Sequence, residues 1–165
     1  MVIQTKMDVE SMNKDLNFKY YKKILFINTL LLLILPAITL NAQSVEVTIT
    51  GIRSEKGQIA IGVFIDNESF QKEEAFLDKK FVKNGISNGE MRVQFSLEPG
   101  TYGLSLLDDE NSNGKMEYNF LGIPKEGFGF SDYYHKGLTK PKFDAFKFSI
   151  DQDQVRKITI RIRYM

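Results

Sequence analysis

The chain has no cysteine and only one histidine, His135. Without cysteine it can form no disulfide, carry no lipidated N-terminal cysteine and offer no thiolate for catalysis. A single imidazole without any thiol leaves no plausible ligand set for zinc. Ser131 lies near His135 in sequence, but outside the G-x-S-x-G arrangement of a hydrolase nucleophile. The sequence therefore predicts no enzyme active site, and we expect His135 to be a surface loop residue.

The chain also lacks an excess of either charge, since 22 basic and 21 acidic residues give a formal net charge of +1. The first 42 residues contain more lysine than acidic residues, so the remainder is close to neutral. A near-neutral domain gives no electrostatic reason to expect nucleic acid or an anionic membrane as partner. Basic side chains near the C-terminus are interpreted as solubilising groups on an exposed strand: Arg156, Lys157, Arg161 and Arg163.

The N-terminal residues have the order of a secretory signal. Lysines precede an apolar run over Ile24–Leu35, and a small-residue exit ends at Ala42. We expect cleavage there, which gives a signal peptide over residues 1–42 and one domain over residues 43–165, exported to the periplasm or the cell surface. An uncleaved anchor is the alternative, because Ile24–Leu40 is at the short edge of what spans a bilayer. Only this segment predicts contact with a membrane.

Beyond the signal, apolar and polar residues alternate nearly throughout, which is typical of half-buried β-strands. The alternating runs begin at or near Val45, Ile59, Met91, Tyr102, Phe146 and Ile158. One short helix is also predicted, capped by Asn67 or Ser69 and running through Glu73, Glu74, Phe76 and Leu77. The sequence therefore predicts an all-β fold, a single antiparallel β-sandwich of about seven strands with one short helix.

Four motifs of the sequence stand out, and the last of them is long and unusual in composition. They are Gly51–Gly57 with the following Ile59–Phe64, Phe95–Tyr102, Asp108–Gly114 and Asn119–Ser131. Through these motifs the chain resembles, over Val45 to Tyr164, the bacterial exported family called domain-of-unknown-function family 2141. The resemblance implies a small exported prealbumin-like or immunoglobulin-like β-sandwich with no assigned activity. One position departs from the family pattern, because the chain has Glu117 where the family favours Asp.

The segment from Asp108 to Glu117 places oxygen-bearing side chains at alternate positions of a turn that contains Gly114. Loops collect ligands for Ca²⁺ in this way. The expected ligands are the following, with the lysine acting through its main-chain carbonyl: Asp109, Asn111, Asn113, Lys115 and Glu117. Phe120 occupies the twelfth position, where an EF-hand has its bidentate Glu, and no helical pattern flanks the loop. The sequence therefore predicts a Ca²⁺ loop between strands, not an EF-hand.

Two asparagines among the ligands give the loop little charge, so a dissociation constant of about 10⁻⁴ to 10⁻³ M is expected for Ca²⁺. The alternative is an ordinary loop without metal. In such a loop, Asn and Asp side chains accept hydrogen bonds from nearby main-chain amides as Asx-turns. The same residue types favour both structures, so the sequence leaves both open.

Aromatic residues are concentrated between Gly127 and Gly137, in a stretch without strand alternation: Phe128, Phe130, Tyr133 and Tyr134. An aromatic loop at the end of a sandwich can bind a sugar, a peptide or another apolar ligand. The same loop can instead fold back and close the core with its rings, because exposed aromatic clusters favour aggregation. These four residues are the predicted ligand-binding set.

Three functions are compatible with the sequence. The first is a non-catalytic binding module of the bacterial envelope, with an unknown ligand or protein partner. The second is a structural or assembly component that pairs through an exposed strand edge. The third is a hydrolase, for which the sequence offers only a carboxylate pair such as Asp108 with Glu126. Residues 119–142 separate the first two, because a concave aromatic pocket favours binding and buried rings beside an open edge favour assembly.

Overall fold

The computed structural model describes Lys22, residues 44–152 and residues 155–165. The elements in chain order are β1 (Ser44–Thr50), β2 (Gln58–Phe64), α1 (Asn67–Lys72), β3 (Leu77–Val82), β4 (Glu90–Ser96), β5 (Gly100–Asp109), β6 (Gly127–Phe130), a 3₁₀ turn (Phe143–Ala145), β7 (Lys147–Ile150) and β8 (Arg156–Arg161). The predicted signal peptide and its cleavage point lie outside the described residues. Within the described part, no helix has the length and apolar character needed to cross a membrane.

The strands form two sheets. One has three strands in the order β4-β1-β8, and the other has the order β3-β2-β5-β6, with β7 paired to the first half of β5. All neighbours are antiparallel except β1 and β8, which run parallel with Val47 opposite Ile158. A parallel pair needs a long connection, and here nearly the whole domain lies between the two strands. The predicted all-β sandwich is confirmed, with one parallel pair that the antiparallel prediction did not include.

The main core lies between the two sheets. On β1, alternate residues Val45, Val47 and Ile49 are fully buried, while the residues between them are partly exposed. They pack with the inward-facing residues of the other strands, among them Met91, Val93, Phe95, Ile61, Leu104, Leu106, Ile158 and Ile160. The period of two therefore sets which face of each strand is apolar, and burial of that face holds the sheets together.

A second, aromatic cluster covers part of the outer face of the five-stranded sheet. It consists of Phe64, Phe70, Phe130, Phe143 and Phe146, which pack mainly edge to face. Gly103 lies beneath it, and a Cβ there would stand 2.5 Å from the Phe146 ring. The glycine thus lets the ring pack directly on the sheet. This cluster fixes α1 and the 3₁₀ turn on the outer face.

The helix is shorter than predicted, and its cap is a different residue. Asp66 is the N-cap, and its carboxylate accepts a hydrogen bond from the Ser69 amide at 2.8 Å. The helix ends at Lys72 because Glu73 takes a left-handed conformation, with φ of 61°. The prediction that it runs through Glu73, Glu74, Phe76 and Leu77 is therefore wrong. Leu77 instead begins β3, an edge strand whose alternation is obscured by charged residues.

Strand β6 occupies a stretch that the sequence analysis described as lacking strand alternation. Its inward positions are Gly127 and Gly129, so the alternation is present but one face has no side chains. A Cβ at Gly127 would lie 2.4 Å from the Tyr164 ring, and one at Gly129 would lie 2.5 Å from Ile160 Cγ2. Glycine is needed at these positions because the last strand and the C-terminal segment approach β6 closely.

Candidate functional site

The end of β5 carries two consecutive buried carboxylates. Asp108 and Asp109 both have 0% relative exposure. Successive residues of a strand point to opposite faces of the sheet, so the two side chains enter different surroundings. Asp108 points into the sandwich, whereas Asp109 points to the outer face, beneath the loop over residues 110–126.

Asp108 belongs to a buried polar network at this end of the sandwich. Its carboxylate forms an ion pair with Lys83 Nζ and accepts a hydrogen bond from the Tyr164 hydroxyl. The same Lys83 ammonium donates to the Ser54 carbonyl at 3.0 Å. Burial, and then the hydrogen bond to Asp108, raises the pKa of the Tyr164 phenol. Because these contacts join β3, β5, the C-terminal segment and the connection after β1, the network is structural.

Asp109 organises the loop predicted to bind Ca²⁺. Its Oδ1 accepts a hydrogen bond from the Asn113 amide at 3.0 Å. Its Oδ2 accepts hydrogen bonds from the Gly114 amide at 2.9 Å and from Gln58 Nε2 at 2.6 Å. Gly114 has φ of +75°, which a residue with a side chain rarely adopts. The loop is thus closed on the carboxylate at its first position.

The other predicted ligands also lie on this loop and contact one another. Asn111 Oδ1 accepts from the Asn113 amide at 3.0 Å, and Asn113 Oδ1 accepts from the Lys115 amide at 2.8 Å. Glu117 Oε2 accepts from Asn111 Nδ2 at 3.4 Å. These are the Asx-turn contacts of the alternative interpretation. They still leave the oxygens of Asn111 and Asn113 a second lone pair each.

Glu126 lies next to Asp109 and was not among the predicted ligands. Asp108 is paired with Gly127 across β5 and β6, so Glu126 is opposite Asp109, one position beyond the end of the ladder. It is 5% exposed, and neither of its carboxylate oxygens has a hydrogen-bond partner. Burial first, and then the charge of Asp109, raises the pKa of this carboxyl. The nearby main-chain amides of Glu110 and Glu117 lower this pKa in part, although neither amide forms a hydrogen bond with the carboxylate.

This geometry separates the carboxylates that the sequence analysis had paired. Glu126 faces Asp109 on the outer side of the sheet, while the Asp108 carboxylate is bound to Lys83 and Tyr164 on the inner side. The carboxylate pair considered for a hydrolase is therefore not formed by Asp108 and Glu126. Among the described residues, no three His, Cys, Asp or Glu side chains are grouped closely enough to hold a metal ion by themselves. A cation here would need amide and carbonyl oxygens as well.

A groove of about 620 Å³ opens on the outer face of the five-stranded sheet, beside this loop. Its floor consists of Ala60, Gly62, Ser105 and Leu107, which come from β2 and β5. One wall is aromatic, with Phe70, Phe128 and Phe130, and another is the loop, with Lys115, Met116, Tyr118 and Pro124. Residues of the segment after β6 complete the lining, among them His135, Leu138 and Lys140. The groove thus joins both segments that the sequence analysis singled out.

The four aromatic residues of the predicted binding set have different positions. Phe130 is 6% exposed and belongs to the outer cluster, while Phe128 is partly buried against it, and both border the groove. Tyr133 is also partly buried against the cluster but is not among the lining residues. Tyr134 is 39% exposed and lies under the Arg161 guanidinium at 4.8 Å. The segment therefore both covers the sheet and borders a concave surface.

His135 and Ser131, the histidine and serine that the sequence analysis considered for catalysis, have other contacts. The Ser131 hydroxyl donates to the Phe146 carbonyl at 2.6 Å and accepts from the Leu104 amide at 2.9 Å. His135 is half-buried, and its Nε2 is 2.6 Å from the Thr139 carbonyl, which assigns the proton to that nitrogen. The prediction of a surface residue for His135 is thus only partly right, because its ring helps to form the groove.

Several apolar side chains project into solvent around the groove. Phe120 is 94% exposed and Leu121 is 67% exposed, on a turn that Asn119 Oδ1 holds by accepting from the amides of Leu121 and Ile123. Leu138, which lines the groove, is 87% exposed. Exposed apolar residues next to a concave surface are typical of interaction sites.

Comparison with known proteins gives a family without an assigned activity. A family model described as "Uncharacterized protein conserved in bacteria (DUF2141)" matches residues 47–159. No curated protein and no solved structure gives a significant match. The match covers most of the β-sandwich and agrees with the resemblance found in the sequence motifs. The prealbumin-like and immunoglobulin-like labels stay predictions.

Proposed function

We propose that this chain, which belongs to the bacterial family of uncharacterised proteins DUF2141, is a non-catalytic binding module of the cell envelope. Its ligand would occupy the groove on the outer face of the five-stranded sheet. The observation that supports this most directly is the groove itself, about 620 Å³ in volume with an aromatic wall and an apolar rim. Small-molecule sites are typically concave, mainly apolar and about 300–1,000 Å³ in volume.

The lining indicates a ligand with an apolar body and a polar end. The floor is mainly apolar and one wall is aromatic, and the charged residues of the lining are Glu73, Asp78, Lys115 and Lys140. The Lys140 ammonium is already within 3.1 Å of the Glu73 carboxylate and 4.7 Å from the centre of the Phe70 ring. A polar group of the ligand would therefore meet a paired charge at the rim, and affinity would come mainly from apolar contact.

Binding of an apolar fluorescent probe tests this proposal. We expect 1-anilinonaphthalene-8-sulfonate to bind saturably at one site of the purified protein. Leu138→Asp should abolish that binding, because it places a charge in the lining without disturbing the core. The matched control is Val155→Asp, which changes a residue that is 55% exposed and outside the groove. Equal binding in both variants, or none in the unmodified protein, would overturn the proposal.

Assembly through a strand edge is less well supported. β3 is an edge of its sheet and carries Asp78, Lys79 and Lys80. Charged residues on an edge strand discourage pairing with another chain. If the protein nevertheless forms dimers that a proline at an edge position of β3 disrupts, assembly replaces ligand binding as the better proposal.

The proposal also includes export and a Ca²⁺-stabilised loop. Export is supported by the signal-like order of residues 1–42, and sequencing of the exported protein should begin at Gln43. The loop is supported by its spacing and by the turn at Gly114, with Asp109, Asn111, Asn113, Lys115 and Glu117 as ligands. Its bound ion would stiffen one wall of the groove, because Lys115 also lines it.

A further inference from the structure

We propose that Glu126 is the ligand that completes the Ca²⁺ site, so that the ion joins the Asp109–Glu117 loop to the start of β6. This inference rests on the Ca²⁺ loop of the proposed function. An EF-hand obtains its bidentate Glu from the twelfth position of the loop, which here is Phe120, a residue that is 94% exposed. Glu126 would supply the missing carboxylate from a neighbouring strand.

The position of Glu126 follows from the pairing of β5 with β6. Leu107 is opposite Phe128 and Asp108 is opposite Gly127, so the next pair along the ladder is Asp109 with Glu126. Directly opposite residues have Cβ atoms about 4.5–5.5 Å apart and point to the same face. The Lys125 amide also donates to the Glu117 carbonyl at 2.9 Å, which holds the end of the loop beside Glu126.

The surroundings of Glu126 compensate its charge only in part, through the nearby main-chain amides of Glu110 and Glu117. The carboxylate is 5% exposed and, within the described part of the chain, forms neither a hydrogen bond nor an ion pair. The charged groups acting on it most strongly are also carboxylates, Asp109 and then Glu117. An unpaired buried carboxylate is costly, so a stable fold requires either a proton or a cation at this position.

The available oxygens suit a hard cation. Asp109 Oδ2 accepts two hydrogen bonds, but Oδ1 accepts only one and so keeps a lone pair. Both oxygens of Glu126 are free of hydrogen bonds. Asp109 Oδ1, the two oxygens of Glu126, the amide oxygens of Asn111 and Asn113 and the Lys115 carbonyl make six, within the roughly six to eight oxygens that Ca²⁺ takes. Glu117, at the ninth position of the loop, would contribute through a water, since no three carboxylates of the described residues are grouped around one point. Soft ligands do not contribute, so zinc is not expected.

Thermal melting with and without Ca²⁺ tests the assignment, using Glu126→Gln and the control Glu98→Gln. Both variants remove one carboxylate charge, but Glu98 is exposed in the turn between β4 and β5. At a Ca²⁺ concentration about tenfold above the dissociation constant, we expect the melting temperature of the unmodified protein to rise by about 5 °C. Glu98→Gln should show the same rise. Glu126→Gln should show almost none, with Ca²⁺ affinity in calorimetry reduced at least about tenfold.

The melting temperature of Glu126→Gln is also informative in the absence of Ca²⁺. Without Ca²⁺, Glu126→Gln should melt at or above the temperature of the unmodified protein, because it removes a buried charge while keeping the shape of the side chain. If Glu126→Gln responds to Ca²⁺ as the unmodified protein does, Glu126 is not a ligand, although the loop still binds the ion. If the unmodified protein shows no shift and no heat at about 10 mM Ca²⁺, both the loop and the Glu126 assignment fail. Neither result decides whether the groove binds the probe in the absence of Ca²⁺.

Discussion

Replacement of Lys83 by Met tests whether the buried network at the end of β5 holds a true ion pair. The side chains of Lys83 and Asp108 both have 0% relative exposure, and they contact each other directly. Methionine keeps most of the apolar stem of lysine but has no charge and no donor. The substitution therefore leaves Asp108 with only the Tyr164 hydroxyl as a partner, and leaves the Ser54 carbonyl without its donor at 3.0 Å.

The expected loss in the free energy of unfolding is about 3–5 kcal/mol, the usual cost of removing one partner of a buried ion pair. This is a large share of the roughly 5–15 kcal/mol that stabilises a typical domain. Adding Asp108→Asn should recover much of the loss, because the neutral amide still accepts a hydrogen bond from Tyr164 and no charge remains buried. The recovery measures the coupling between the two sites.

Urea unfolding followed by circular dichroism measures these free energies. The control is Lys157→Met. The Lys157 side chain is 81% exposed, and its ammonium is 3.9 Å from a carboxylate oxygen of Glu46. Loss of this exposed ion pair should lower the free energy of unfolding by less than about 1 kcal/mol. If Lys83→Met costs no more than this control, the reasoning is refuted. If Asp108→Asn adds a further loss instead of a recovery, an unpaired charge on Asp108 is not what destabilises Lys83→Met.

Three further substitutions test the packing and the helix cap. Phe146→Ala should cost about 3–5 kcal/mol in urea unfolding, because the ring is 2% exposed and packs against three other aromatic rings of the outer cluster. Gly129→Ala should cost about 1–3 kcal/mol, since its Cβ would lie 2.5 Å from Ile160 Cγ2; an unchanged midpoint would show that β6 can move away from β8. Asp66→Ala should lower stability at neutral pH. The hydrogen bond from the Ser69 amide lowers the pKa of Asp66 in the folded state, so this contribution exists above the unfolded-state pKa and fades as the pH falls below about 4.

The sequence predicted the strands that have one apolar face, and it missed two strands for different reasons. On β1 and β4 every second residue is buried, so the period of two is visible in the sequence alone. On β3 the inward positions include Lys79, and none of its residues is fully buried, because the strand lies at an edge. On β6 the inward positions are glycines, required by the close approach of Tyr164 and Ile160, which no local pattern reveals.

The loop of the candidate site was predictable because its contacts are local. Asp109 binds amides four and five residues further along, and each asparagine binds an amide two residues further along. Glu126 could not be placed in the same way, because its position next to Asp109 depends on the register between β5 and β6. The pairing of Asp108 with Glu126 failed for a related reason: neighbouring residues of one strand point to opposite faces, and the sequence does not say which residue faces outward.

The loop connects the proposed ion site to the groove, and this connection has a thermodynamic consequence. Lys115, Tyr118 and Pro124 line the groove and lie between Asp109 and Glu126 in the chain, so an ion held by those two carboxylates would fix both ends of the wall. If Ca²⁺ orders this wall, the conformational entropy of ordering it no longer opposes probe binding. Ca²⁺ should therefore tighten probe binding. By linkage, the probe must then tighten Ca²⁺ binding by the same factor. We expect each dissociation constant to change by about 5- to 150-fold, the usual range of such coupling. The measurement is a titration with the probe in the presence and absence of Ca²⁺, and a titration with Ca²⁺ in the presence and absence of the probe. In Glu126→Gln the probe affinity should become independent of Ca²⁺, whereas equal coupling in that variant would mean that the ion acts on the groove through some other part of the molecule.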